Sequence, residues 1–226
     1  MATKNYREAL GHLTHAALAL DPGPDSGEDA LSDDAKLRLA FLKDIASVPG
    51  AIDDLMADDE EKGKAGSTQF DLPPDLARLF ILFARRIPSE DLAGKGIEIQ
   101  PHVTCKYGLS PHVTADEVAD LTMDTPPVVV TFGPTAVFAG EDHDVLYVAV
   151  HSPDLHRLHH ALSALPHMDT HAQYVPHATL AYLMPGTGQK YAGRKLFDGL
   201  DVELRTLKFS PAEGDDVTIL LNSTEN

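Results

Sequence analysis

The chain has no tryptophan and a single cysteine among its 226 residues. One cysteine, Cys105, excludes an intramolecular disulfide. Positive charge is scarce. Eighteen Lys and Arg stand against 35 Asp and Glu, a formal net charge of -17, and the densest basic spot is Arg85-Arg86. A protein that tracks a long polyanion gains from a basic stripe that displaces counterions, and none is visible here, so no long nucleic acid is expected as a partner. A small phosphorylated ligand held by a few local donors stays compatible with an acidic shell. Long apolar runs are also missing. The most apolar stretch, Leu79 to Ala84, falls far short of the ~20 residues that span a bilayer. Met1-Ala2-Thr3-Lys4 does not open a signal peptide. The expectation is a soluble, cytoplasmic protein with no membrane contact. What the chain does have is a hydrophobic fraction of 43%, enough for a core.

Residues 1–66 read as a helical extension with linkers. Tyr6, Leu10, Leu13, Ala17 and Leu20 recur at helical spacing before the breaker Asp21-Pro22-Gly23-Pro24. Leu37, Phe41, Leu42 and Ile45 mark a second helix over about 33–47, and residues 52–56 resume it after Pro49-Gly50. Residues 21–30 and 57–66 are polar, Gly-containing linkers. Such an extension buries little alone. It can pack on the rest of the chain, pair with a second copy or bind a partner.

Residues 67–226 form the main domain. Ser67 to Leu72 alternates as a strand, with Thr68, Phe70 and Leu72 inward. Pro73-Pro74 opens a helix carrying Leu76, Leu79, Phe80, Phe83 and Ile87 on one stripe. Ser89-Glu90-Asp91 and Gly94-Lys95-Gly96 read as loop. Strands are expected over 128–132 and 135–138 around a Gly133-Pro134 turn, over 144–151, over 202–209 and over 217–221, with a helix from Pro153 to Leu165. Gly186 to Gly199 reads as a short helix or lid holding Tyr191, Leu196 and Phe197.

Two stretches organise this domain. Ile99 to Tyr107 contains Pro-His-Val-Thr-Cys-Lys-Tyr, and Tyr174 to Tyr182 contains Pro-His-Ala-Thr-Leu-Ala-Tyr. Both are rich in strand formers. Residues two apart in a strand share a face, so His102 goes with Thr104 and His177 with Thr179. Val103, Cys105, Ala178 and Leu180 then point to the buried side. Lys106 is in phase with His102 and Thr104, while Tyr107 and Tyr182 are out of phase and belong to the core. A third His-x-Thr, at His112 and Thr114, is a decoy. Thr114-Ala115-Asp116-Glu117 is a capping box at a helix start, which leaves His112 as a loop residue. His156 and His160 stand four apart on a helix, but no third spaced ligand accompanies them, so a solvated face is preferred to a metal site. No cofactor or metal is expected.

The paired motifs, 75 positions apart, resemble those of the two-histidine (2H), LigT-like phosphoesterase superfamily. Ser67 to Pro73, the Asp91-Leu92 turn, the Pro-His-Val-Thr-Cys-Lys-Tyr-Gly-Leu block and Asp144-Val145-Leu146 most resemble the phage anti-CBASS branch, whose enzymes degrade cyclic oligonucleotide messengers. The resemblance spans about residues 67–222. It implies an α+β, two-lobed, pseudo-symmetric sheet-and-helix fold, with the motif strands face to face across a groove.

Two imidazoles flanking one phosphorus can remove a proton from the attacking hydroxyl and return one to the leaving oxygen, because a free imidazole titrates near 6.5. Threonine hydroxyls can donate to the phosphoryl oxygens. His102 and His177 are therefore the expected acid and base, with Thr104 and Thr179 holding phosphate. Gln69 and Lys106 are expected beside the substrate, and Tyr147 as a base-stacking residue. Three functions fit: a phosphodiesterase for small cyclic nucleotides, an RNA-end 2′,3′-cyclic phosphodiesterase or 2′,5′ ligase-like enzyme, and a module that sequesters nucleotides without cleaving them.

Overall fold

The computed structural model describes residues 65–169 and 173–222. The helices and linkers expected over residues 1–64 lie outside the described residues. The rest is mixed α+β: one nine-stranded sheet and three α-helices. In chain order the elements are β1 (Gly66–Asp71), α1 (Pro74–Ala84), β2 (Leu92–Ile97), β3 (His102–Leu109), α2 (Ala115–Thr122), β4 (Val128–Phe138), β5 (Asp144–His151), α3 (Pro153–Leu162), β6 (His177–Leu183), β7 (Asp201–Leu204), β8 (Thr206–Ser210) and β9 (Val217–Leu220). Short 3-10 turns cover Ser89–Asp91 and Gly188–Tyr191.

Local chemistry sets the helix starts. Pro73-Pro74 opens α1, where a missing N–H costs nothing. Thr114 and Glu117 form the expected reciprocal box at α2, with the Glu117 amide donating to Thr114 Oγ1 at 3.3 Å and the Thr114 amide to Glu117 Oε2 at 2.8 Å. Ser152 caps α3 by accepting from the Leu155 amide at 3.1 Å. That helix stops at Leu162, three residues before the expected end. The stripe Leu76, Leu79, Phe80, Phe83 and Ile87 is buried. Phe80 packs against Phe132 and Phe197, with ring centroids 5.5 and 4.2 Å apart.

The sheet order is β7-β4-β5-β6-β3-β1-β8-β9, with β2 attached to β6, and all pairs are antiparallel. The order is symmetric about the β6–β3 pair: β5 mirrors β1, β4 mirrors β8 and β7 mirrors β9. Where a single strand is expected over 202–209, Arg205 instead separates β7 from β8, which lie toward opposite ends of this order. The sheet must therefore curl back on itself. The motif strands are not face to face across a groove. They lie side by side, paired at Val103 and Ala178. Both of these residues are fully buried, and their small size lets the strands meet above the helices.

Three further expectations change. Residues 128–138 form one strand, with a register shift between Phe132 and Thr135 in place of a turn. Pro134 is tolerated because β7 pairs only with Val128–Thr131, leaving that part of β4 as an edge. The segment before Gly199 covers this edge: the Gly193 amide donates to the Thr135 carbonyl at 2.7 Å and the Gly199 amide to the Phe132 carbonyl at 2.8 Å. The short helix expected in this segment is the 3-10 turn at Gly188–Tyr191; with Leu196 and Phe197 buried, its remainder is packed on the sheet and not a lid. Gly94-Lys95-Gly96, expected as loop, lies within β2 (Leu92–Ile97). This strand pairs with β6 only at Leu92 and Ile97, with the glycines between them out of register.

Candidate active site

The register Val103↔Ala178 places His102 opposite Thr179 and Thr104 opposite His177, all four on the face away from the core. The four side chains make a square, with each histidine facing the other strand's threonine. Opposed residues in such a pair are about 5 Å apart and diagonal ones about 7–8 Å. The His102–His177 diagonal thus leaves room for one phosphoryl group between two imidazoles.

Both histidines are held in the same way. His102 Nδ1 lies 2.8 Å from the Gln100 carbonyl oxygen and His177 Nδ1 lies 2.7 Å from that of Val175. A carbonyl only accepts, so Nδ1 carries the proton in each ring and Nε2 is the atom that exchanges one. The arrangement suits either charge state, because an imidazolium keeps the same Nδ1–H donation.

The surroundings of the two differ. The His177 ring is walled by Phe138 and Tyr147, edge-on at 5.1 and 5.3 Å between centroids. Tyr147 stacks on Phe138 at 4.1 Å and is 9% exposed. Its ring is therefore engaged with protein and positions His177, and it does not lie open to a base as expected. Burial raises its phenol above the ordinary value. On the other side, Asp71 lies opposite His102 and Gln69 opposite Thr104. Gln69 Nε2 donates to Asp71 Oδ1 at 2.7 Å. Lys208, opposite Gln69 on β8, reaches Asp71 at 3.0 Å.

Lys106 is not at the site. The pairing runs Gln69↔Thr104 and then Thr68↔Lys106, so Cys105 is an extra residue, a β-bulge that flips the phase. Lys106 turns to the helix-covered side, is 1% exposed, and pairs with Asp169 at 2.7 Å. The second motif repeats this device. Tyr147↔Thr179 is followed by Leu146↔Ala181, with Leu180 as the extra residue. Each bulge returns the next tyrosine to the site face. Tyr107 is 46% exposed and Tyr182 is half-buried, so neither is core as expected. Cys105 is buried, and burial pushes its thiol up.

The sequence reading missed Lys208 and Phe138. Alternation of Leu207 and Phe209 inward puts Lys208 outward, which is legible, but its place beside Gln69 is not. His112 is exposed in a turn ahead of α2. His156 and His160 are exposed, and His156 lies edge-on to Tyr174 at 5.4 Å. Among the described residues no three His, Cys, Asp or Glu side chains converge on a metal-sized site, and no helix is long and apolar enough to cross a membrane.

Beneath the first motif, His159 stacks on Tyr174 at 4.0 Å and its Nδ1 donates to the Cys105 carbonyl at 2.8 Å, while Tyr174 OH donates to the Thr104 carbonyl at 2.8 Å. Burial lowers the His159 pKa below the ordinary value. The unfolded chain's imidazole therefore protonates first, near pH 6.5. Its contribution to stability is complete above that pH and is lost as pH falls through 6.5 toward the folded value. Melting temperatures at pH 8 and 5.5 should differ less in His159→Gln than in the wild type.

A sheet curled about two adjacent His-x-Thr strands, with mirrored order on either side, defines a two-motif phosphoesterase-type fold. The chain belongs to the 2′-5′ RNA ligase superfamily, whose family model matches residues 73–215, a span that includes both motifs. Its fold is similar to that of TT0787 from Thermus thermophilus, with a TM-score of 0.52 and 14% identity, covering 71% of this chain and 100% of that one. E. coli LigT complexed with 3′-AMP also aligns, at a TM-score of 0.48 and 16% identity over 71% of this chain and 98% of that one. So does Kluyveromyces marxianus Usb1 with uridine monophosphate, at 0.44 and 13% over 70% and 98%. No curated protein matches the sequence.

Proposed function

We propose that the protein is a phosphodiesterase that opens 3′,5′ bonds of small cyclic di- or trinucleotides, without a metal, by two-histidine acid–base catalysis. The observation that carries this reading is the square of His102, Thr179, Thr104 and His177, with both Nδ1 atoms fixed on carbonyls. In the first step one Nε2 takes the ribose 2′-hydroxyl proton as O2′ bonds to phosphorus. The P–O5′ bond breaks, and the other Nε2 protonates O5′. The product is a 2′,3′-cyclic phosphate. Water then attacks that phosphorus, one P–O bond of the ring opens, and the two histidines exchange roles. Thr104 and Thr179 donate to the non-bridging oxygens as charge grows on them. Lys208 and Gln69 flank the phosphate on the β1 side.

The net charge of -17 favours a small substrate over a long RNA, and the resemblance of residues 67–222 to the anti-CBASS branch favours a cyclic messenger in the cytoplasm of a phage host. The family's description favours a second reading, an RNA-end enzyme acting on 2′,3′-cyclic phosphate or 2′,5′ linkages.

Incubation with cyclic di- and trinucleotides and with an RNA oligomer ending in a 2′,3′-cyclic phosphate, in EDTA, separates the readings by chromatography. Cleavage of the cyclic messengers is expected. Opening of the RNA end alone would replace this reading with the second. Tight binding without turnover of either would make the protein a sequestering module.

A further inference from the structure

The bulge at Cys105 is held by three side chains. The Lys106 amide donates to Thr68 Oγ1 at 3.1 Å, Tyr174 OH donates to the Thr104 carbonyl at 2.8 Å, and His159 Nδ1 donates to the Cys105 carbonyl at 2.8 Å. At the second bulge the Leu180 carbonyl accepts instead from a backbone amide, that of Glu98, at 2.9 Å. The Thr104 and Cys105 carbonyls lie on the two peptide planes that flank the extra residue. A peptide plane is rigid. A donor fixed on its carbonyl therefore fixes the course of the chain at Thr104, and with it the direction of the Thr104 side chain. Bulges beside active sites aim side chains in this way.

Tyr174 stands in the segment that leads into β6, and its neighbour Val175 holds the His177 ring through its carbonyl. Thr104 and His177 face each other across the β3–β6 pair, which the ladder joins at Val103 and Ala178. The Tyr174 hydroxyl makes a second tie between these strands. It joins the backbone of one motif's threonine to the segment that carries the other motif's histidine. The tyrosine is itself held from α3: His159 stacks on its ring at 4.0 Å, with 3° between the planes, and His156 lies edge-on at 5.4 Å. Burial raises its phenol, so the hydroxyl keeps its proton and remains a donor near neutral pH.

We propose that Tyr174 is a positioning residue. It acts through Thr104, holding the bulge so that the threonine hydroxyl meets the phosphoryl group on which His177 works. This rests on the two-histidine phosphodiester-cleaving reading.

The test uses the full chain and adenosine 2′,3′-cyclic phosphate, because a ring of this kind is opened in either reading of the function. Tyr174→Phe keeps the aromatic ring and its stack on His159 and removes only the hydroxyl. It should lower kcat ~10-fold, part of the roughly 10²-fold that a misplacement of about 1 Å can cost. KM should stay within about twofold, since the lost donation belongs to the transition state. Thr122→Val is the structural control. It removes a buried hydroxyl bond of 2.9 Å to the Val118 carbonyl on α2, and should lower the melting temperature with kcat unchanged. In a Thr104→Val background, Tyr174→Phe should have no further effect on kcat, because residues that act as a unit do not lose activity additively. An unchanged kcat in Tyr174→Phe would overturn the positioning role. So would the same loss with and without Thr104. Either result leaves the acid–base reading standing. Failure of the wild type to open the ring would overturn that reading and the positioning role with it.

Discussion

Replacing His177 by alanine is expected to lower kcat by about 10²–10⁴-fold, and His102→Ala should do the same. The effect is large because, in the proposed mechanism, each imidazole performs one of two proton transfers that no neighbour can take over. Thr104 and Thr179, the proposed phosphate donors, do not accept protons near neutral pH, and Tyr147 has its phenol pushed up by burial. The two losses should not add, since removing either partner already disables the pair. Neither substitution removes a core contact, as both rings are only partly buried, so melting temperatures should stay close to that of the wild type. His112→Ala should leave the rate unchanged. Steady-state kinetics on the substrate identified by the chromatographic panel would check all three. A loss of less than tenfold in both motif variants would sink the acid–base assignment.

Phe197→Ala is expected to destabilise the fold by about 3–5 kcal/mol. Phe197 is 2% exposed and its ring lies 4.2 Å from that of Phe80 and 6.0 Å from that of Phe83. Truncation would leave a cavity between α1 and the edge of β4. It would also loosen the segment whose Gly193 and Gly199 amides close that edge. A fall in melting temperature on the order of 10 °C follows for a domain of this size. If Gly186 to Gly199 acted as a substrate lid, the same substitution would alter KM with little change in melting temperature. Thermal denaturation and kinetics on the same variant therefore decide between packed structure and lid.

The alternation around Thr68, Phe70 and Leu72 was enough to assign that strand's inward face, because a strand's period is local. The pairing of His102 with Thr104 and of His177 with Thr179 came from the same period. The capping box at Thr114 identified the decoy for a local reason too: both of its hydrogen bonds join residues three apart.

What lay beyond each His-x-Thr was decided between strands. A β-bulge exists only relative to a partner strand. That Cys105 and Leu180 are extra residues depends on β1 and β5, which the motifs' own residues do not encode. Those two insertions sent Lys106 to the helix side and brought Tyr107 and Tyr182 back to the site face. The adjacency of the motif strands and the place of Lys208 beside Gln69 are likewise matters of register between segments far apart in the chain. The chemistry of the four central side chains, and the face each strand presents, were already written in the order of residues. Which neighbours surround them was left to the fold, because side-chain phase is set within a strand while register is set between strands.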